Sequence, residues 1–440
     1  MTLQFQLSLL TKIRFYSFLI FLFFSFNTHA EKLDYLYKDI LKAALENSYE
    51  IKINDSEVSK KGAKEYSSFA TKLPQLSIEP FIKKENEDNI KEDTHGVTFS
   101  ANWPIYKRIN SINSSISQID YQLSKHTRQN SSELLELKVF EFFTSLLLSK
   151  YKILIFNKEK NELKTSLNKK KKLIKRKDVT QLESLTHRAE IDFLETKISQ
   201  EEQNYLESLK NLISVSGINV NNKIITRISQ IPKSINLIEN GLEDFSLSSK
   251  DTKKILHHKA KSNLVKGPGW KEILLQEQLS VEAAHRVTSS DWPELSFKGS
   301  VTEEYGRAND LGSTTTILGL YLTIPFNLGG KVFSNLKEKT YEIEVAKRKA
   351  ESSRHNLRNE IHTDINRIKQ LKSLIQSNEK LIKSRTKILN LTTVGYKYKQ
   401  ITIKDLLDRR TQYYESKISL FENKIELVNL VKKVSYNLAL

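Results

Sequence analysis

Residues 292–330 contain the feature that most limits the fold, two runs of alternating apolar and polar residues on either side of a turn-prone stretch, 306–312. The apolar positions of these runs are Leu295, Phe297, Val301 and Tyr305, then Leu318, Leu320, Leu322 and Ile324. Each run has about ten residues, the length of a tilted strand that crosses a bilayer. A two-stranded hairpin cannot bury its apolar face alone. The pattern therefore predicts a hairpin over 293–325 that joins other strands and turns its apolar face to lipid.

A second stretch, 74–104, has the same design. Its apolar residues alternate with polar ones on both sides of a polar turn at 84–95, and Pro104 closes it. The apolar positions are Leu76, Ile78 and Ile82, then Val97, Phe99, Ala101 and Trp103. This alternation predicts another hairpin.

The landmarks recur after about 220 residues, which indicates an internal two-fold repeat. Leu73-Pro74-Gln75-Leu76 corresponds to Trp292-Pro293-Glu294-Leu295, and Trp103-Pro104-Ile105 corresponds to Ile324-Pro325-Phe326. Two repeats, 31–217 and 271–440, are predicted. Each contains a helix, a hairpin, a long helix, a tip (near 176–180 and 396–402) and a returning helix, and residues 218–270 connect them.

The long helices are predicted over 109–175 and 331–393, each roughly 90–100 Å if continuous. Apolar stripes at coiled-coil-like spacing run along both. One stripe is Phe140, Phe143, Leu147, Tyr151 and Leu154, and the other is Leu357, Ile361, Ile365, Ile368, Leu371 and Ile375. A soluble coiled-coil bundle explains these stripes equally well. It does not explain the hairpins.

The N-terminus has Lys12 and Arg14, an apolar run over 15–26 and Ala30 at a small-residue position. This arrangement predicts a secretory signal peptide over 1–30, with a retained anchor as the alternative. The net charge of +18 falls to +16 without these two cations. Anionic lipid suits such a charge, and a secretory signal disfavours nucleic acid as a partner. The chain has no cysteine, which excludes disulfides and thiol catalysis.

Three motifs carry a resemblance to the TolC family of outer-membrane efflux and secretion channels. They are Glu282-Ala283-Ala284 before Trp292-Pro293-Glu294-Leu295, then Ile324-Pro325-Phe326-Asn327-Leu328-Gly329-Gly330, and Thr402-Ile403-Lys404-Asp405-Leu406-Leu407-Asp408. The resemblance implies a mainly α fold with a membrane β part, as a homotrimer. Long antiparallel helical hairpins would form an α-barrel, and four strands per protomer would form a twelve-stranded β-barrel.

The resemblance also implies a function in the outer membrane of a Gram-negative cell, extending into the periplasm. The chain would be the passive exit duct of a tripartite efflux pump or a type I secretion system. Its partners would be outer-membrane lipid, a periplasmic adaptor (membrane fusion) protein and an inner-membrane transporter, without a cofactor or bound metal. Independently of the family, four strands are too few to close a membrane barrel, so oligomerisation is expected.

Asp405 and Asp408 match the acidic residues that line the periplasmic entrance in this family, and three copies would make two carboxylate rings that favour cations. The alternative is that both are ordinary first-turn acids favoured by the helix dipole. The expected tip and adaptor contacts are Lys175, Arg176, Lys177, Thr180, Tyr396, Lys399 and Thr402. The basic residues near the first tip form either an electrostatic dock or a solvated helix end. The usual tip glycine is replaced by Lys177 and Lys399.

Four aromatic residues at strand ends suit a membrane-interface belt, although soluble sheets carry such residues too. They are Trp103, Trp292, Tyr305 and Tyr321. Enzyme function is not expected, because the sequence has no phosphate-binding glycine loop and no Gly-x-Ser-x-Gly motif. Glu351 and His355, one helical turn apart, are a weak metal signal. The rival function is a soluble periplasmic adaptor or structural coiled-coil protein.

Overall fold

The computed structural model describes residues 33–87, 90–174, 181–217, 234–245, 267–306, 312–326 and 329–439. Two compact units divide the chain. The helical unit comprises the chain up to Ile51 together with Ser131–Leu264 and Asn359–Leu440, and the sheet unit comprises Lys52–Asn130 and Val265–Arg358. The predicted signal peptide, the first tip and most of the 218–270 segment lie outside the described residues.

Helices dominate both units. In chain order they are α1 (33–47), α2 (Tyr49–Ala70), α3 (Arg108–Ile174), α4 (Gln181–Ser216), α5 (Ile235–Phe245), α6 (Pro268–His285), α7 (Lys331–Lys397) and α8 (Ile403–Leu438). A 3₁₀ turn, Ser289–Asp291, precedes the third strand. In the part of the chain that the structure describes, no helix is long and apolar enough to span a membrane.

The helical unit has two apolar cores, both formed by stripes that repeat every three or four residues. One core joins α1, α3 and the end of α4 around Ile40, Phe143 and Leu147. The other joins α3, α4, α5 and α8, and in it the rings of Tyr151 and Phe421 stack with centroids 3.9 Å apart. The stripe predicted in α3 is therefore the buried face of a helix bundle.

The first helix predicted for the repeat 31–217 is interrupted at Ser48, where α1 ends and α2 begins. Gly217 follows α4 with φ 61°, and a Cβ atom there would lie 2.9 Å from the carbonyl oxygen of Asn47. Gly217 thus lets the end of α4 approach this break closely. The break thus lies against a residue 170 positions away in the chain, a contact that local periodicity does not reveal.

The sheet unit contains one four-stranded antiparallel sheet in the order β1-β2-β3-β4. Its strands are β1 (Gln75–Glu87), β2 (Ile90–Tyr106), β3 (Glu294–Tyr305) and β4 (Ser313–Thr323). The two hairpins lie where the alternation places them and pair through β2 and β3. The register between these strands shifts between Pro104 and Tyr106. Because a bulge accommodates a proline that cannot donate to the ladder, β2 continues two residues beyond its predicted end.

The two halves of the chain have matching dimensions. The helices α3 and α7 each have 67 residues, and the returning helices α4 and α8 each have 36. At 1.5 Å per residue, each long helix extends about 100 Å. The second long helix reaches Lys397, four residues beyond its predicted end. These equal lengths fit the two-fold repeat of the sequence, and the predicted fold class, long helical hairpins with four antiparallel strands, is confirmed.

Candidate functional site

One face of the sheet is apolar and uncovered. The register brings its residues together in rungs, such as Ile78–Phe99–Val301 and Trp103–Phe297–Leu320. Several of these side chains are more than 60% exposed: Leu76, Ile78, Ile82, Leu318, Leu320 and Leu322. An exposed apolar surface of this extent is unusual for a protein in water. This face therefore requires an apolar environment or a partner.

The opposite face of the sheet is polar. The hydroxyls of Ser77 and Ser100 are 2.7 Å apart, and those of Thr98 and Thr302 are 3.1 Å apart, each pair bridging neighbouring strands. Lys298 lies on this face, in the rung that it forms with Asn102 and Gly319. The sheet thus separates an apolar surface from a polar one.

The aromatic residues predicted for an interfacial belt do not all lie on one face. Trp103 and Tyr305 occupy the apolar face at opposite ends of the sheet, and Trp292 is half-exposed just before β3. Tyr321 alternates with Leu320 and Leu322, so it lies on the polar face, where the Lys298 ammonium is 5.2 Å from its ring centroid. On the apolar face, the predicted belt therefore retains Trp103 and Tyr305.

The second helical tip is the turn between α7 and α8. Lys399 has φ 60°, the left-handed conformation that glycine usually supplies after a helix. The Lys399 amide donates to the Tyr396 carbonyl at 3.1 Å, and the Gln400 amide donates to the Gly395 carbonyl at 2.9 Å. This pair of bonds is a Schellman motif. The lysine in place of the usual tip glycine therefore adopts the glycine conformation, and the turn remains tight.

Thr402 caps α8, as its position predicts. Its hydroxyl accepts a hydrogen bond from the Asp405 amide at 3.2 Å and donates to the Asp405 carboxylate at 2.6 Å. Ile403, Leu406 and Leu407 are buried in the second core, whereas Asp405 and Asp408 are exposed. The structure thus places both aspartates on one solvent-facing side of the first turns of α8. Asp405 lies in the first turn of α8, where the alternative interpretation has its carboxylate favoured by the helix dipole.

Tyr396 connects the two helical hairpins. Its hydroxyl donates to Glu183 in the first turn of α4 at 3.1 Å, and burial together with the Glu183 carboxylate raises the pKa of this tyrosine. Glu183 is not among the site residues that the sequence predicts. The repeat contained a signal for it, because an offset of 222 residues aligns Thr180 with Thr402 and Glu183 with Asp405.

A buried carboxyl group lies between α3, α4 and α8. Glu159 on α3 is 2% exposed and accepts a hydrogen bond of 3.3 Å from the Thr411 hydroxyl on α8. Burial and the nearby carboxylate of Glu190 raise the pKa of Glu159 to about 7. Nearby, Glu162 accepts a hydrogen bond of 2.7 Å from Tyr414 and faces Arg410 at 3.8 Å. The sequence pattern does not predict this buried group, because a single acid among the apolar residues of a helix does not change their periodicity.

The remaining predicted positions fall into two groups, those outside the described residues and those on α7. Lys175, Arg176, Lys177 and Thr180 of the first tip lie outside the described residues. Glu351 and His355 lie on α7, and within the described ranges no group of three or more His, Asp or Glu side chains is arranged to hold a metal ion.

Comparison with protein-family models and with curated protein sequences gives no match. Solved structures do match. The CmeC outer-membrane channel of Campylobacter jejuni has a TM-score of 0.75 at 14% identity, over 92% of this chain and 85% of that one. VceC of Vibrio cholerae, an outer-membrane protein, has a TM-score of 0.77 at 10% identity, over 91% and 95% of the two chains. The open state of the MtrE channel of Neisseria gonorrhoeae has a TM-score of 0.73 at 13% identity, over 92% and 88%. These neighbours are channel proteins rather than enzymes, and this chain has the fold of the TolC-family outer-membrane channels, as its sequence resemblance predicts.

Proposed function

We propose that this chain forms a passive exit duct in the bacterial outer membrane, as a homotrimer that receives its cargo in the periplasm. The observation that carries the proposal is the uncovered apolar face of the sheet, with its strongly exposed leucine and isoleucine side chains. Lipid is the solvent that makes such a face favourable, and strands of 11 to 17 residues are long enough to cross a bilayer. The match to solved outer-membrane channels supports the same location.

The sheet cannot close on itself, because β1 and β4 are its two free edges. In hydrocarbon, unpaired backbone groups at these edges are costly, so the edges must pair with other strands. Pairing β4 of one copy with β1 of the next is antiparallel and head-to-tail, and it closes into a ring. Three copies give the twelve strands that the family resemblance implies.

Exposed apolar residues on the helices that adjoin β1 and β4 also favour another copy of the chain as the partner. On α2, which leads into β1, Ile53, Tyr66 and Phe69 are exposed. On α7, which follows β4, Phe333, Leu336 and Tyr341 are exposed beside a groove of about 880 Å³ between α6 and α7. The exposed apolar residues of α2 precede the free edge strand β1 in the chain, and those of α7 follow the free edge strand β4. A second copy of the chain would therefore cover both.

The helical unit would form the periplasmic part of the duct. With three copies, Asp405 and Asp408 would make two carboxylate rings on the exposed side of α8, which would bind cations at the entrance. The tips at 176–180 and 396–402 would contact a periplasmic adaptor protein that is coupled to an inner-membrane transporter. Efflux of small molecules and secretion of polypeptides both suit such a duct.

Membrane fractionation together with channel recording tests the proposal. We expect the full-length protein in the outer membrane as a detergent-extracted trimer that dissociates on heating, and stepwise conductance after reconstitution into a planar bilayer. A water-soluble monomer in the periplasm would contradict the duct and support the rival adaptor function.

In the same recordings, the double variant Asp405→Ala/Asp408→Ala should lose much of the block by added divalent cations, because both carboxylate rings are removed. Glu207→Ala is the matched control, since Glu207 is also an exposed helical acid of this unit. Unchanged block in the double variant would exclude the rings as the cation site and leave the duct itself intact.

A further inference from the structure

Lys298 is a charged residue on the polar face of the sheet, and its immediate neighbours on that face carry no charge. It lies on β3 in a rung with Gln75, Asn102 and Gly319, and its immediate neighbours along the strand on that face are Ser296 and Ser300. The nearest acid on this face of β3 is Glu294, which forms an ion pair of 3.1 Å with Lys107. Among the described residues, no ion pair joins Lys298 to a carboxylate.

The surroundings hold this lysine in a defined position. Its cross-strand neighbour on β4 is Gly319, and the ring of Tyr321 lies across the space that a side chain there would fill, 3.2 Å from where a Cβ atom would stand. The Lys298 ammonium is 5.2 Å from the centroid of this ring, within the range of a cation–π contact. Glycine at position 319 therefore makes room for the tyrosine, and the tyrosine supports the ammonium.

The position of Lys298 along the strand matters as much as its neighbours. The adjacent residue on the apolar face is Phe297, in one rung with Trp103 and Leu320. Lys298 lies between this rung and the next, which contains Leu76, Ala101 and Leu318, so it is within the apolar band, one residue inward from the level of Trp103. A charged ammonium at this depth is stable only where it faces water, which in a membrane barrel is the lumen.

We infer that Lys298, supported by Tyr321 and Gly319, forms an anion-attracting ring in the strand-lined part of the duct and helps to select its cargo by charge. The inference rests on the proposed function, because three copies are needed for the ring. Three ammonium groups at one level favour small anions and anionic groups of a cargo molecule, and they oppose cations. In this respect the ring acts against the cation preference expected of Asp405 and Asp408.

Reversal potentials measured under a salt gradient across a planar bilayer test the ring. Lys298→Gln should shift the reversal potential toward that of a more cation-selective channel, and Lys298→Glu should shift it further. Tyr321→Leu should give a smaller shift in the same direction, because the ammonium remains but loses its support. All shifts should shrink as the salt concentration rises, since ions screen the charge. Lys347→Gln, a change of an exposed lysine on α7, is the control and should leave the potential unchanged.

The outcomes separate the two proposals. Channels of normal conductance whose reversal potential is the same in Lys298→Gln, Lys298→Glu and the unmodified protein would overturn the lysine ring while leaving the duct in place. A protein that forms no channels in any variant would overturn the proposed function itself.

Discussion

Lys399 adopts the left-handed backbone conformation at the tight turn between α7 and α8. For a residue with a side chain, this conformation costs about 1–2 kcal/mol. The turn persists because the two hydrogen bonds of the Schellman motif and the capping bonds of Thr402 fix both of its ends. Ile401 adds a contact, since its side chain occupies the space above Gly395. Local strain at one lysine is thus offset by the bonds around it.

Replacing this lysine by glycine relieves the strain. We expect Lys399→Gly to raise the free energy of unfolding by about 1 kcal/mol, measured by urea unfolding followed by the helical circular dichroism signal. Lys383→Gly is the matched control, because position 383 is an exposed interior position of the same helix. There the substitution should lower the free energy of unfolding by about 1 kcal/mol. Destabilisation by both variants would contradict the strained turn.

Glu159 makes the stability of the helical unit dependent on pH. Its pKa rises from 4.5 in the unfolded chain to about 7 in the fold, so the folded protein keeps a proton that the unfolded chain has lost. The folded state therefore loses stability as pH rises from 4.5 to 7, by at most about 3 kcal/mol, and this loss remains above pH 7. The groups that face Glu159 are Glu190 and Lys197 on α4 and Arg410 and Thr411 on α8.

Glu159→Gln removes this ionisation. The variant should be more stable than the unmodified protein at pH 8 and should lose less stability between pH 5 and pH 8, as measured by urea unfolding at several pH values. Glu207→Gln, at an exposed site on α4, should leave the pH dependence unchanged. A pH dependence that is identical in Glu159→Gln and the unmodified protein would show that this carboxyl group titrates normally.

The strands illustrate what the sequence predicts well. The prolines at 74, 104 and 325 and the alternation between them are local signals, so both hairpins were predictable. The face of Tyr321 followed from the same alternation, because it lies between Leu320 and Leu322. The contact of Gly217 with the break at Ser48 and the bond from Tyr396 to Glu183 were not predictable from local patterns, since each joins residues far apart in the chain.

The two faces of β4 should differ in their tolerance of a charged substitution. Leu318 lies on the apolar face near the middle of the strand and Ile317, the residue before it, on the polar face, and both are exposed. A lysine on a lipid face near the midplane of a bilayer costs about 2–4 kcal/mol, whereas the lumen accepts it. We expect Leu318→Lys to reduce the amount of assembled protein in the outer membrane and Ile317→Lys to leave it nearly unchanged. Equal tolerance of both substitutions would contradict a lipid-facing surface on β4.

The two halves of the chain contain helices of equal length, a long helix of 67 residues and a returning helix of 36 residues in each. This symmetry was visible in the sequence because the proline-centred landmarks recur. The number of copies in the assembly was not, since the free edges of β1 and β4 require partners without fixing how many. The tip contacts with an adaptor remain a prediction, as does the entrance ring. Both rest on surfaces whose partners are other chains.

The absence of cysteine from the chain permits a decisive measurement, in which single cysteines along β4 carry a fluorescent label and the protein is reconstituted into vesicles. We predict that labels at Leu318→Cys and Leu320→Cys are quenched by a quencher attached to the lipid chains. Labels at Ile317→Cys and Tyr321→Cys should respond instead to a water-soluble quencher. Labels that all respond to the aqueous quencher, without alternation along the strand, would contradict the account that this sheet turns its apolar face to lipid.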